Sequence, residues 1–170
     1  MHPAALPDDE LLKECVLTRG RTSGPGGQHR NKVATAVELV HKPTGIAAHA
    51  GERREPSVNM RVALRRLRLA LAVEHRTPPR KTHGFEEIAS ELWRSRRRDK
   101  QLSVSERSKD LPAILAEAFD ILSDSRWDPR KAGLRLGVSA SQLIKLAKKH
   151  PPALAYWNEQ RKRRGQGALQ

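Results

Sequence analysis

The chain has 170 residues, of which 37% are hydrophobic and only 4% are aromatic, so its core is expected to be small and mainly aliphatic. Its 33 Lys and Arg residues outnumber its 19 Asp and Glu residues, which gives a net charge of +14. A charge of this size indicates a polyanionic partner, because each Lys or Arg placed on a phosphate releases condensed counterions.

The composition also excludes several kinds of site. Cys15 is the single cysteine, which excludes an intramolecular disulfide and a multi-cysteine zinc site. No apolar run approaches the roughly 18 residues that span a bilayer, and residues 1–10 match neither a signal peptide nor a transit peptide. His41 and His49 are interpreted as ordinary sheet residues. We therefore expect a cytoplasmic protein with no metal, no cofactor and no membrane partner.

Residues 1–76 predict a compact α+β domain with three short strands and one long helix. Alternating and β-branched residues predict strands over Glu14–Arg19, Thr35–His41 and Ile46–Ala50. A Gly-rich loop over Gly20–Asn31 separates the first two strands, and Pro43-Thr44-Gly45 signals a turn before the third. The helix is expected over Ser57–Glu74. Its apolar stripe consists of Met60, Leu64, Leu67 and Leu71.

The rest of the sequence predicts an all-α module, so the fold class is α+β with a helical C-terminal part. Residues 77–84 break the pattern and are expected to form a linker. Residues 85–164 should form a basic helical module, and residues 165–170 should be a frayed tail. The expected helices are Phe85–Asp99, Leu111–Leu122, Pro129–Leu136, Ala140–Lys149 and Ala153–Arg163.

Two of these helices have a characteristic connection. Gly133 would permit a close helix crossing, Gly137 would make the turn, and Ser139 would cap the following helix. This pattern fits a helix-turn-helix, and it also fits a plain αα-hairpin with a glycine turn. In a helix-turn-helix, exposed polar residues of the second helix could enter a groove. They are Ser141, Gln142, Lys145, Lys148 and Lys149.

The Gly-rich loop contains the most specific motif, SGPGGQHRNK over residues 23–32. Glycines let the backbone approach a ligand closely, and their unobstructed N–H groups can stabilise charge that develops on an oxygen. The loop matches no nucleotide-binding pattern, and no nucleophile–base pair is evident beside it. A Gly-Gly-Gln tripeptide alone can simply be a surface turn. Chemistry here would depend on positioning and electrostatics, without a covalent intermediate.

The wider pattern continues through an apolar strand ending in HKPTGI to a basic helix. From Glu14 to Glu74 it resembles the catalytic domain of class I peptide chain release factors and of their codon-independent relatives, which rescue stalled ribosomes. The resemblance implies that Gly26, Gly27 and Gln28 enter the peptidyl transferase centre. The glutamine N–H would stabilise the transition state as water attacks the peptidyl-tRNA ester. Its side chain would position the water, and it is a candidate for N5-methylation by a methyltransferase.

Basic residues in three places, together with Asn31, are candidate RNA contacts, although each cluster could instead be a solvated surface. They are Arg21, Arg30, Asn31 and Lys32 beside the loop, then Arg96, Arg97 and Arg98, and finally Arg161, Lys162, Arg163 and Arg164. Three positions next to the loop or the helix depart from the family pattern, which bears on the strength of any activity. These are Arg30, Val33 and the run Arg54-Glu55-Pro56.

Termination factors read stop codons with a separate domain, for which this chain has no room, and neither Pro-x-Thr nor Ser-Pro-Phe occurs in it. The predicted function is therefore codon-independent peptidyl-tRNA hydrolysis on the ribosome. The expected partners of a monomeric enzyme are large-subunit ribosomal RNA and peptidyl-tRNA. The alternative is a catalytically inactive regulator that binds ribosomes or nucleic acid through the helix-turn-helix.

Overall fold

The computed structural model describes residues 1–20, 35–79 and 88–170. They divide into two compact units, which comprise Pro3–His75 and Arg76–Gln170. The predicted linker over 77–84 lies partly outside the described residues. It therefore stays a prediction, as do the domain bounds 1–76 and 85–164.

The N-terminal unit is a three-stranded antiparallel sheet packed against one long helix. Its elements are a 3₁₀ turn (Pro3–Ala5), α1 (Asp8–Lys13), β1 (Cys15–Gly20), β2 (Ala36–His41), β3 (Ala47–Ala50) and α2 (Pro56–Glu74). The strands pair in the order β1-β2-β3, and α2 packs against β2 and β3. The predicted strands and the predicted helix are confirmed to within one residue at every boundary.

Burial explains why these residues form these elements. Val37, Leu39 and His41 alternate along β2 on its buried face, while Glu38 between them is exposed. In α2, Leu64, Leu67 and Leu71 of the predicted stripe are buried, whereas Met60 is only half-buried. The helix begins at Pro56, whose missing N–H costs no hydrogen bond in the first turn.

Helix α1 was not predicted from the sequence. It is only six residues long, but it begins just after Pro7 and has three acidic residues in its first turn, which suit a helix N-terminus. Leu11 of this helix is fully buried. Arg68 of α2 holds the segment in place, since its Nη1 donates to Ala4 O at 2.9 Å and its Nη2 lies 2.6 Å from Asp8 Oδ1.

The C-terminal unit is mainly helical, as predicted. Its elements are α3 (Glu91–Arg96), β4 (Arg97–Arg98), β5 (Gln101–Leu102), α4 (Leu111–Asp124), α5 (Pro129–Leu136), α6 (Ala140–Lys148) and α7 (Pro151–Lys162). The prediction of one helix over Phe85–Asp99 is wrong at both ends of its described part, because the helix begins only at Glu91 and residues 97–102 form a short hairpin. Beyond Trp93 the run of Arg and Ser residues offers no apolar side chain to bury, and Asp99 turns the chain at a φ of 52°.

The three tryptophans of the chain form the centre of this unit. Trp93 and Trp157 are fully buried and Trp127 nearly so. The indole N–H groups of the two fully buried tryptophans both donate to backbone carbonyls. Trp93 Nε1 donates to Leu136 O at 3.0 Å, and Trp157 Nε1 donates to Trp127 O at 3.1 Å. Phe119 of α4 meets the Trp127 ring edge to face, with centroids 5.7 Å apart.

The connection between α5 and α6 has the geometry that its sequence predicts. Gly137 ends α5 in the left-handed conformation, with a φ of 66°, and the Ser139 Oγ caps α6 by accepting a hydrogen bond from Gln142 N at 3.3 Å. Gly133 lies so close to the turn that a Cβ there would be 2.6 Å from Val138 O. A residue with a Cβ is therefore unfavourable at both glycine positions.

The expected frayed tail is instead folded back along α7. Leu169 N donates to Asn158 Oδ1 at 2.7 Å, and Asn158 Nδ2 donates to Leu169 O at 3.1 Å. The Arg161 Nε also donates to Gly167 O at 2.8 Å. These side chains supply partners for backbone groups that no regular element satisfies, which is why the tail is ordered.

Arg76, at the start of the C-terminal unit, forms an ion pair with the buried Asp120. The Arg76 guanidinium lies over the rings of Phe119, Tyr156 and Trp127, at 5.3 to 5.8 Å from their centroids. It is 3.6 Å from Asp120 Oδ1, which also accepts a hydrogen bond from Thr77 N at 2.9 Å. Burial lowers the pKa of Arg76 and raises the pKa of Asp120 to about 6, so desolvation outweighs the mutual attraction of the pair.

This pair predicts a pH dependence of stability. Because the pKa of Asp120 is raised above its ordinary value of 3.8, the folded unit holds a proton that the unfolded chain has released. The stabilisation is full below about pH 4 and is lost as the pH rises through about 6. Asp120→Asn should therefore gain stability relative to the wild type as the pH rises from about 4 to 7. Denaturant unfolding followed by tryptophan fluorescence measures this unit alone, since all three tryptophans lie in it.

The matched control for this prediction is Asp99→Asn, which changes an exposed carboxylate in the hairpin turn of the same unit. Asn tolerates the positive φ at this position, so the substitution should leave the pH profile parallel to that of the wild type. Profiles of Asp120→Asn and Asp99→Asn with the same shape would contradict the role assigned to the buried carboxyl.

Candidate functional site

The structure describes both ends of the Gly-rich loop. Strand β1 ends at Gly20 and β2 begins at Ala36, and these two residues are directly opposite each other in the antiparallel register. The chain therefore leaves and re-enters the sheet at adjacent positions. The predicted catalytic and flanking residues themselves lie outside the described residues. They are Gly26, Gly27, Gln28, Arg21, Arg30, Asn31 and Lys32, and Val33 lies there too.

Asn59 fixes the re-entry point of the loop. Its fully buried side chain donates from Nδ2 to Thr35 O at 2.7 Å and to Arg53 O at 2.9 Å. Its Oδ1 accepts from Arg53 N at 3.1 Å. One amide thus ties the residue that precedes β2 to the segment that leads into α2. Sequence reasoning missed this residue, although a lone amide among the apolar positions of a predicted helix is a signal for a buried polar contact.

A second set of contacts attaches the end of β3 to α2. Arg66 donates from Nη1 to His49 O at 2.7 Å, and its Nη2 is 2.7 Å from Glu52 Oε1. The hydrogen bond from Arg66 is the largest cause that lowers the pKa of Glu52 to about 2. Both side chains are about half exposed, so this ion pair orients the segment more than it stabilises the unit.

The other reactive side chains near the sheet have structural roles. The buried His41 has both ring nitrogens engaged, at 2.8 Å from Thr44 Oγ1 and 2.9 Å from Glu14 Oε2, which confirms it as a sheet residue. Cys15 Sγ donates to Leu11 O at 3.1 Å, and burial is the main cause that raises the pKa of this thiol. A raised pKa makes Cys15 a poor nucleophile. In the described ranges, no three His, Cys, Asp or Glu side chains group as metal ligands.

The predicted basic cluster of Arg96, Arg97 and Arg98 forms contacts within the C-terminal unit. Arg96 forms an ion pair with Asp110, and Arg97 Nη1 donates to Leu136 O at 3.2 Å. Leu136 is the last residue of α5, so Arg97 satisfies a carbonyl at a helix C-terminus. Arg98 is exposed. Arg96 and Arg97 therefore have structural contacts that the sequence did not predict, and their proposed RNA contacts would have to compete with these.

The predicted basic cluster of Arg161, Lys162, Arg163 and Arg164 lies at the end of α7. Arg161 donates to Trp127 O at 3.0 Å in addition to its bond with the tail, so its guanidinium stabilises the fold of the unit. Arg163 pairs with Glu159 at 3.1 Å, and Arg164 Nη1 donates to Gln160 O at 2.8 Å. Lys162, Arg163 and Arg164 are exposed. In this cluster, only these three side chains are exposed at the end of the helix.

Comparisons with known proteins agree with this architecture. A family model described as the RF-1 domain matches residues 10–111, which include the whole SGPGGQHRNK motif. The match extends beyond the predicted resemblance, into the C-terminal unit as far as the first residue of α4. It covers more than half of the chain.

Several curated proteins are similar to the same region. The chain is 44% identical over 62 residues to a probable mitochondrial peptide chain release factor 1 of Caenorhabditis elegans, which is 36% of this chain and 15% of that protein. It is 38% identical over 93 residues to peptide chain release factor 2 of Neisseria meningitidis, covering 54% of this chain and 25% of the relative. It is also 35% identical over 98 residues to an uncharacterised mitochondrial release factor-like protein of Saccharomyces cerevisiae, covering 57% and 62%.

The chain thus spans less than two thirds of the length of each of these relatives. Some are mitochondrial by name, so the cytoplasmic location expected from the sequence stays a prediction. Among the described helices, none is long and apolar enough to cross a membrane. From the family match and the intact Gly-Gly-Gln motif, the chain belongs to the RF-1 domain family, the family of the catalytic domain of class I peptide chain release factors.

Proposed function

We propose that this chain hydrolyses the ester bond of peptidyl-tRNA in the peptidyl transferase centre of the ribosome, and that it does so without reading a stop codon. The observation that carries the proposal is the intact Gly26-Gly27-Gln28 motif inside the matched RF-1 domain. The names of the relatives, peptide chain release factors 1 and 2, support a role in releasing peptides.

The proposed chemistry needs no side-chain nucleophile. Water attacks the ester carbonyl, negative charge develops on the carbonyl oxygen, and the ribose hydroxyl of the tRNA leaves. The backbone N–H of Gln28 would donate to that oxygen, and the Gln28 side chain would orient the water. Such a donor acts only if it is held in position. The pairing of Gly20 with Ala36, together with the bonds of Asn59 to Thr35 and Arg53, supplies fixed ends for the loop.

Release without a codon is supported by the character of the second unit. A stop codon can favour binding only through a group that distinguishes it from other codons. The C-terminal unit is basic and mainly helical, and the 170 residues contain neither of the tripeptides that read stop codons in release factors. Its basic residues would contact ribosomal RNA whatever codon is present. N5-methylation of Gln28 by a methyltransferase is part of this proposal.

The proposal predicts release by the wild-type protein from ribosomes stalled on a message that lacks a stop codon. Labelled peptidyl-tRNA on such complexes should be hydrolysed at a rate well above that of a reaction without protein. The same samples, sedimented through a sucrose cushion, show whether the protein binds. Binding without hydrolysis would contradict the proposed activity and would favour a catalytically inactive ribosome-binding protein.

The second candidate is a regulator that binds nucleic acid through α5 and α6. It is favoured by the turn geometry at Gly137 and Ser139, which fits a helix-turn-helix as well as a plain αα-hairpin. The intact Gly-Gly-Gln motif has no role in this function. Tight binding to a particular DNA sequence, without binding to ribosomes, would establish it in place of the hydrolase.

A further inference from the structure

The exposed face of α6 is strongly basic. The segment that contains α5, the turn and α6, residues 129–149, has six Lys or Arg residues and no Asp or Glu. On α6 itself, Ser141, Lys145 and Lys148 are exposed and follow one another at intervals of four and three residues, so they lie on one face. The opposite face is buried in the core of the unit through Leu143, Leu146 and Ala147.

The side chains on this face can hold phosphates but are poorly suited to read bases. Base recognition by a helix uses planar groups that donate or accept two hydrogen bonds at once, such as Arg on guanine or Gln on adenine. Gln142 is the single amide of α6, and its Oε1 accepts a hydrogen bond from Leu102 N at 3.2 Å. This bond directs the amide oxygen toward Leu102, so Gln142 already has a contact within the unit. Lysine, by contrast, is a compact point charge on a flexible stem.

The caps of the two helices lead to the same conclusion. The first N–H groups of α5 are satisfied by Asp128, whose Oδ1 accepts from Arg130 N at 2.8 Å and from Lys131 N at 3.1 Å. Ser139 similarly accepts from Gln142 N at the start of α6. The binding capacity of this segment therefore rests on its side-chain charges. Arg135 is already paired with Asp124 at 2.6 Å, whereas Lys145 and Lys148 are exposed on one face of α6.

We propose that the α6 face formed by Ser141, Lys145 and Lys148 binds the phosphate backbone of duplex RNA without reading its sequence. The choice of RNA over DNA rests on the proposed function, since a protein that acts on the ribosome meets RNA helices. The deep, narrow major groove of such a helix excludes an α-helix. Contacts from this face would therefore go to phosphates and 2′-hydroxyls beside the shallow minor groove, a mode that needs charge and hydroxyl groups.

Fluorescence anisotropy of the full chain with RNA duplexes tests this inference. Two duplexes of unrelated sequence, each of about 20 base pairs, are titrated between about 50 and 200 mM salt. The test variant is Lys145→Gln/Lys148→Gln. The control is Lys100→Gln/Lys109→Gln, which removes the same charge from two exposed lysines elsewhere in the unit. Tryptophan fluorescence checks that both variants are folded.

The slope of log affinity against log salt should decrease by about 2 in the test variant, because each phosphate contact contributes about 0.9. The slope should decrease less in the control variant than in the test variant. The wild type should bind both RNA sequences with equal affinity. Equal slopes in the two variants would overturn the proposal. So would tighter binding to one duplex sequence, or to a DNA duplex of the same sequence. Anisotropy does not depend on hydrolysis, so a wild type that binds RNA in this way but releases no peptide would contradict only the proposed activity.

Discussion

Replacing Gln28 with Ala, or Gly27 with Ala, is expected to slow peptide release by a factor on the order of 100 or more. Gln28→Ala keeps the backbone N–H but removes the side chain that would orient the water, and misplacing a reacting group by about 1 Å can cost a factor of about 100. The substitution at Gly27 adds a Cβ where the backbone should approach the substrate closely. Binding to ribosomes should persist, because neither substitution removes a charged side chain. Single-turnover release at saturating protein measures the rate, and sedimentation measures the binding.

Two matched substitutions control for this experiment. Gly167→Ala adds a Cβ that meets no atom within 4 Å, and Gln170→Ala removes an exposed amide at the end of the chain. Both should release peptide at the wild-type rate. If Gln28→Ala and Gly27→Ala were also as fast as the wild type, the assignment of catalysis to the loop would be wrong.

Asn59→Ala is expected to destabilise the N-terminal unit by about 2–4 kcal/mol, because it leaves one backbone N–H and two carbonyls without their partner. It should also slow release, since Thr35 at the base of the loop is no longer tied to α2. Amide hydrogen exchange in β2 and α2 measures the loss of stability in this unit. Release at saturating protein, at a temperature where the variant is folded, measures the effect on the loop.

An exposed position on the same helix provides the comparison for Asn59. Glu74→Ala changes the last residue of α2 and should alter stability by no more than about 0.5 kcal/mol. Exchange rates in Asn59→Ala that match those of Glu74→Ala would mean that the amide contributes little. Loss of stability with an unchanged rate of release would instead limit Asn59 to a structural role.

Much of the fold follows from periodicity and local chemistry. The spacing of Leu64, Leu67 and Leu71 was sufficient to locate α2, because a helix of this length needs one continuous apolar stripe. The turn at Gly137 and the cap at Ser139 were also predictable, since each depends on a residue type and on its immediate neighbours. These features involve contacts within a few positions along the chain.

The features that could not be predicted depend on distant partners. Asn59 bonds to a carbonyl 24 positions away, and Arg97 to one 39 positions away. The local sequence does not identify the partner of either residue, and it does not distinguish Arg97 from a solvated arginine. Arg161 was assigned to RNA for the same reason, although it bonds to the Trp127 and Gly167 carbonyls. Charge in the sequence therefore overestimates the surface that is available to bind phosphate.

In the candidate site, too, local patterns were predictable and contacts with distant partners were not. The motif SGPGGQHRNK and its resemblance to release factors identified the family, which the RF-1 domain match confirms. The support of the loop, from the Gly20–Ala36 pairing and the Asn59 bonds, became visible only in the structure. The roles of the individual loop residues remain predictions that depend on measured release.

The central claim is that this chain releases peptides without reading a stop codon. Its most direct test compares single-turnover release from three sets of ribosome complexes, which carry a stop codon, a sense codon or a truncated message in the vacant site. With saturating wild-type protein, release should be rapid on the truncated message and no faster on the stop codon than on the sense codon. A strong preference for the stop codon would contradict the account.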